Sequence, residues 1–256
     1  MSSLLFMDRT LLERGPRVVT PELRSLVEPL GFEEPRHVPV VRQPGAEAGW
    51  CHRNVANVVA REGGEAAYGV CIWANDLFAT AEFHAVHRRS DGTLTDPTPK
   101  PDGDRDILFA LDPSRGPDFD FMQRPANRRV RLYRGLSAER RAVDLIACMS
   151  LAQIRSEARR AEKAGMSLEK FVASRTRPDG LELAIDRFLA CCAESEAMLK
   201  PTPEGQWCDD IPRWRTLETR KAELLGRLCR IWRTHPERAR LAQTREAAEN
   251  ADTGRH

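Results

Sequence analysis

Cys51, His84 and Asp96 follow one another in that order along the chain. A thiol, an imidazole and a carboxylate are the parts of an activated cysteine nucleophile: the attacking atom, its base and the group that orients the base. If the three converge, the chain is a cysteine-dependent hydrolase or acyl-transferase that works through a covalent acyl-enzyme on a peptide or amide substrate. Position favours the cysteine. Pro44-Gly45-Ala46-Glu47-Ala48-Gly49 breaks regular structure, and CHRNVANVVARE then runs from Cys51 to the stop at Gly63-Gly64. Cys51, Val55, Val58 and Val59 share one face of that helix. The thiol thus sits at a helix N-terminus, where unpaired N–H groups and the dipole favour the thiolate. Cysteine is also a common small core residue, so its placement, not its type, carries this reading.

His84 lies in an alternating run that ends at Ser90-Asp91-Gly92, and the chain then returns to Asp96-Pro97-Thr98. A three-residue hairpin loop with a left-handed Gly92 pairs Arg89 with Thr93 and Asp96 with Val86. Asp96 is then diagonal to His84 on one face. A two-residue Asp91-Gly92 turn would set Asp96 opposite His87 and make His87 the rival base. Taken alone, either histidine reads equally well as a surface strand residue, and Asp-Pro-Thr-Pro as a strand-ending turn. Asn54, one turn after Cys51, either lines the same cleft or supports packing. Gln43 is a candidate oxyanion donor beside the Cys51 amide, although a loop glutamine is more often solvated. Glu82 shares the His84 face and reads as structural no less than functional.

With these pieces in place, residues 37–100 resemble the transglutaminase-like branch of the papain-like Cys-His-Asp superfamily. The matching motifs are Gly49-x-Cys51 opening a helix, His84-Ala85-Val86, and Asp96-Pro97-Thr98. The resemblance implies a papain-like helix-plus-antiparallel-sheet fold with Cys51 as nucleophile, His84 as base and Asp96 as orienter. Two positions depart from the pattern: Val86 stands where an aromatic is usual, and His52 follows the cysteine. Superfamily members include peptidases, amidases, deamidases, acyl-transferases and inactive relatives, so the resemblance implies no single substrate.

The elements that must hold these residues differ along the chain. β-like runs at 67–74, 81–88, 107–111 and 129–133 fill the first part, with most of the glycine and proline. Beyond Arg134-Gly135-Leu136, Ala, Leu, Glu and Arg recur at helical spacing. The expected fold is α+β: a domain over 1–135, then an all-α accessory domain over 136–256. Helices are expected over about 138–164 between Ser137 and Gly165, from Pro178 to Met198, from Pro212 to Trp232, and from Pro236 into a fraying tail. Leu145, Met149, Leu183, Phe188, Leu224, Leu228 and Trp232 are expected to form one core for that half.

At 256 residues, 41% hydrophobic and 30% charged, the chain can bury a real core and is not disordered. Seven cysteines without a Cys-x-x-Cys pair argue against a disulfide framework or zinc knuckle and for a reducing, cytoplasmic setting. No cofactor or metal is implied. Leu4-Leu5-Phe6-Met7 is too short for a signal core, and no run approaches the ~20 apolar residues of a membrane span. A net charge of +2 does not call for nucleic acid. Residues 213–245 nevertheless carry ten basic side chains against three acidic ones, with Trp207, Trp214 and Trp232 nearby. That stretch is either a solvated helix face or the footprint of a protein or acidic partner. The rival class is therefore a non-catalytic adaptor with a vestigial first half and a partner-binding second half.

Overall fold

The structure is a computed structural model and describes residues 11–100, 103–177, 179–202 and 205–238. It is mixed α+β around one antiparallel sheet. The sheet strands are β1 (Arg36–Pro39), β2 (Glu65–Ala74), β3 (Phe78–Arg88), β4 (Leu94–Thr95), β5 (Asp106–Leu111) and β6 (Arg128–Arg131). Their order is β1-β5-β2-β3-β4, and β6 also pairs with β3. The chain just after β4 bridges back to the end of β1: the Asp96 N–H donates to the Pro39 carbonyl and the Val41 N–H to the Asp96 carbonyl, both at 2.9 Å. The sheet is therefore curled nearly shut at that end.

Alternation sorts the side chains into two layers. On one face α1 (Pro21–Val27) packs Leu23, Leu26 and Val27 against Val70, Ile72, Ala79 and Ala81. On the same face α2 (Cys51–Glu62) packs Cys51 and Val55 against Tyr68, Phe83 and Ala85. Each fully buried valine of α2, Val55 and Val58, contributes about 1.5–3 kcal/mol to this docking. On the other face Val38, Ala67, Cys71, Val86, Ile107 and Phe109 fill the inside of the curl.

Two short connections fix the geometry that matters. Gly63 and Gly64 both have positive φ and turn α2 directly into β2. A side chain at Gly64 would meet the Arg88 carbonyl at 2.4 Å. Gly92, at φ 82°, closes the β3–β4 hairpin, and the Arg89 N–H donates to the Thr93 carbonyl at 2.9 Å. His87 pairs with Thr95 and Arg88 with Leu94. This is the three-residue-loop register, which brings Asp96 opposite Val86.

After β6 come α3 (Ala138–Ala147), α4 (Leu151–Lys163), α5 (Leu168–Arg175), α6 (Gly180–Ala197) and α7 (Ile211–Arg233), with a small hairpin of β7 (Lys200–Thr202) and β8 (Gly205–Trp207) between the last two. The single helix expected over 138–164 is broken at Ser150, which caps α4 and exchanges hydrogen bonds with Gln153 in a capping box. The expected core is also divided. Phe188, Leu228 and Trp232 pack with Leu77, Phe78 and Tyr133 of the sheet half, whereas Met149 belongs to a small cluster with Ala142 and Val172. Leu145 and Leu183 are exposed. Ion pairs between Arg129 and Glu196 at 2.7 Å and between Arg131 and Asp186 at 3.1 Å tie β6 to α6. On α7, Arg213 pairs with Glu194 and Lys221 with Glu218. Arg240, Arg245, Pro178 and the expected tail beyond residue 238 lie outside the described residues, as do Leu4 to Met7. Among the described residues no helix is long and apolar enough to cross a membrane.

Candidate active site

The site forms at a gap in the edge of β3. β6 pairs with Phe78–Ala81 and β4 with His87–Arg88, so residues 82–86 have no strand partner on that edge among the described residues. The N-terminus of α2 enters this gap. Cys51 packs from one face against Phe83 and Ala85, while His84 projects from the other, and the thiol meets the imidazole at the open edge. The Ala85 backbone amide also favours the charged form of the sulfur. Trp50 gives α2 no side-chain cap, so the first N–H groups of the helix remain available beside the thiol.

The three predicted residues come together. His84 Nε2 lies 3.0 Å from Asp96 Oδ2, and the same ring interacts with the Cys51 thiol. Asp96 is fully buried, and its Oδ1 accepts the Thr98 N–H at 2.8 Å. Burial alone would push the Cys51 thiol up. The His84 charge outweighs it, helped by contacts from the His52 and His84 side chains, and the thiol falls to about 6. Burial likewise opposes the charged His84 ring, but Asp96 and the Cys51 thiolate raise it to about 10. Burial opposes the Asp96 charge too, yet His84 and Lys100 hold its carboxyl far below the usual carboxylate range. The Cys51 and His84 shifts run in the directions that favour a thiolate beside an imidazolium.

The other sequence candidates are placed elsewhere. His87 is buried on the opposite face, with Nε2 2.8 Å from the Gly63 carbonyl, where it secures the turn after α2. Gln43 Oε1 accepts a hydrogen bond from Arg61 at the far end of α2, and Gln43 does not line the cleft, so it is not positioned as an oxyanion donor. Asn54 spends its amide on structure. Its Oδ1 accepts the Glu47 N–H, and its Nδ2 donates to the Glu47 carbonyl at 2.8 Å and to Thr98 Oγ1 at 3.2 Å. Asn54 thereby pins the loop before Cys51 to the strand end after Asp96. Glu82 lines the cleft and accepts from Trp73 Nε1 at 2.8 Å.

Lys100 is a site residue that the sequence alone does not mark. Its ammonium is 2.6 Å from Asp96 Oδ2 and 3.4 Å from His84 Nε2, buried beside Trp73. It shares with His84 the same carboxylate oxygen, so it neutralises part of the charge that steadies the imidazolium. The sequence signal was weak: a lysine in a Pro-Asp-Gly loop reads as solvated. His52 stacks on Phe121 at 4.5 Å between ring centroids and fills the place after the cysteine.

A cleft of about 520 Å³ opens over the thiol, enough for a side-chain-sized substrate group. Trp50, His52, Trp73 and Phe121 give it aromatic walls, and Thr202, Gly205 and Gln206 of the β7–β8 hairpin close one side. The second half of the chain therefore shapes the cleft. No protein-family model, curated protein or solved structure matches the chain.

Proposed function

We propose that the protein is a cysteine-dependent hydrolase or acyl-transferase of the papain-like, transglutaminase-like kind, acting on peptide or amide substrates. One observation carries the reading: a buried His84 bridges a cleft-facing thiol and a buried carboxylate, in a setting that favours thiolate and imidazolium together. The Cys51 thiolate attacks the substrate carbonyl carbon, and the electron pair moves to the oxygen. The uncapped N–H groups at the head of α2 are placed to stabilise that oxyanion. Collapse expels the amine, which takes the proton from His84, and leaves a thioester on Cys51. Water or a second amine then gives its proton to neutral His84 as it attacks the thioester, and the thiolate–imidazolium pair is restored.

The test is a p-nitrophenyl ester used as a generic acyl donor. The expected result is a stoichiometric burst of nitrophenol and one hydroxylamine-sensitive acyl group, located on Cys51 by peptide mapping and lost in Cys51→Ala. Acylation spread evenly over several cysteines, or none at all, would overturn the reading and leave the adaptor class.

A further inference from the structure

Besides the His84 ring, the basic side chains His52, Lys100 and Arg124 line the cleft. Lys100 is saturated by Asp96 at 2.6 Å and His52 is stacked on Phe121. Arg124 differs from both. Its guanidinium sits 4.8 Å from the centroid of the same Phe121 ring, and Nη1 makes one long bond, 3.4 Å, to the Phe121 carbonyl. Among the described residues no carboxylate pairs with it. By contrast Arg115, in the preceding loop, is 2.6 Å from Asp112. Among the described residues the one carboxylate lining the cleft, Glu82, is engaged by Trp73.

Resting on the thiol chemistry above, we propose that this cleft selects acyl donors that carry a carboxylate near the scissile bond, with Arg124 as the receptor. A guanidinium has five N–H donors in a planar fork that matches a carboxylate, and Arg124 commits one of them weakly. Phe121 fixes its position, and through His52 the same ring is coupled to the residue after the nucleophile. The amides of Asn127 and Gln206 and the Thr202 hydroxyl share the cleft lining and add donors that suit an anion. Arg124 also lies within electrostatic reach of Cys51, so a group bound there is held beside the reacting sulfur. The carboxylate could belong to a chain terminus or to an acidic side chain.

The experiment compares iodoacetate with iodoacetamide as Cys51 reagents, on the full-length protein, with melting temperature as the folding control. The readout is the ratio of the two rates, which cancels any effect of a substitution on the thiolate itself. Relative to wild type, Arg124→Gln should lower the iodoacetate-to-iodoacetamide ratio on the order of tenfold, as expected for a charge-assisted contact in a partly open cleft. Arg124→Lys should keep part of the preference, and 1 M salt should weaken it. Millimolar N-acetylglycine or glutarate should slow iodoacetate labelling of wild type and not of Arg124→Gln. Protection by the first alone assigns the carboxylate to a chain terminus, and by the second alone to a side chain. An unchanged ratio in Arg124→Gln, with rapid acid-limb iodoacetamide labelling, overturns the carboxylate receptor and leaves the thiol chemistry standing. Slow iodoacetamide labelling at acidic pH overturns the thiol chemistry itself.

Discussion

Replacing His84 by alanine tests the thiolate–imidazolium pair through a crossing of two pH profiles. In the wild type the thiol titrates at about 6. Without His84 it loses its main cationic partner and returns to at least the free-thiol value, about 8.5. At pH 6 about half of the wild-type thiol is ionised, against about 0.3% in the variant, a ratio of roughly 150. A less basic thiolate is a poorer nucleophile, and a Brønsted slope of about 0.45 over 2.5 pH units returns a factor of about 13. The net expectation for iodoacetamide is that wild type is labelled about tenfold faster at pH 6 and about twentyfold faster at pH 5. The curves should cross near pH 7.5, above which the variant is the faster one. Burial of the lone thiol raises its pKa further and moves the crossing to higher pH. The assay is second-order labelling of Cys51, followed by intact mass from pH 5 to 9. Parallel profiles, or equal rates at pH 5, refute the argument that an imidazole activates this sulfur.

Other substitutions probe the frame. Asp96→Asn should cost about 3–5 kcal/mol, because it leaves Lys100 buried beside a neutral amide. A fall in melting temperature on the order of 10 °C checks it, and adding Lys100→Met should restore part of the loss. Asn54→Ala should cost about 2–3 kcal/mol and slow Cys51 labelling, since it unpairs the Glu47 backbone and the Thr98 hydroxyl. Gly69→Ala should destabilise by about 3 kcal/mol in chemical denaturation, because its Cβ would lie 2.1 Å from the Ala110 carbonyl oxygen on the neighbouring strand. Stability should also follow the site charges. The contribution of His84 is complete below about 6.5 and is lost as pH rises through about 10. That of Cys51 is complete above about 8.5 and is lost as pH falls through about 6. The melting-temperature difference between wild type and the double alanine variant of Cys51 and His84 should therefore be widest between those limits.

Legibility in the sequence followed locality. The breakers before Cys51 and the double glycine after Glu62 bounded α2 as expected, and Ser90-Asp91-Gly92 set the hairpin register because turn chemistry is short-range. The Ser150–Gln153 capping box was equally legible and would have divided the long helix correctly. Asn54 and Gln43 stand out in the sequence by their amides, but an amide bonds whatever the fold brings near, and here that is Glu47, Thr98 and Arg61. Lys100 was hidden for the same reason, since its burial depends on how the chain bends after Pro97. The packing of α6 and α7 onto Phe78 and Tyr133 was hidden too, because helical periodicity shows that a face is apolar and not what it will cover.

The entry of α2 through the unpaired edge of β3 has a consequence for how reactivity appears during folding. His84 and Asp96 are twelve residues apart and meet as soon as the hairpin closes, so the imidazole and its carboxylate form early and locally. The thiol arrives only when the helix docks across a separation of more than thirty residues, between strands contributed by distant parts of the chain. Until then Cys51 is an ordinary thiol, protonated at neutral pH like the other six cysteines. On the proposed thiol chemistry, a nascent or locally opened chain thus holds no activated sulfur, and the reactive state is confined to molecules that have completed their fold.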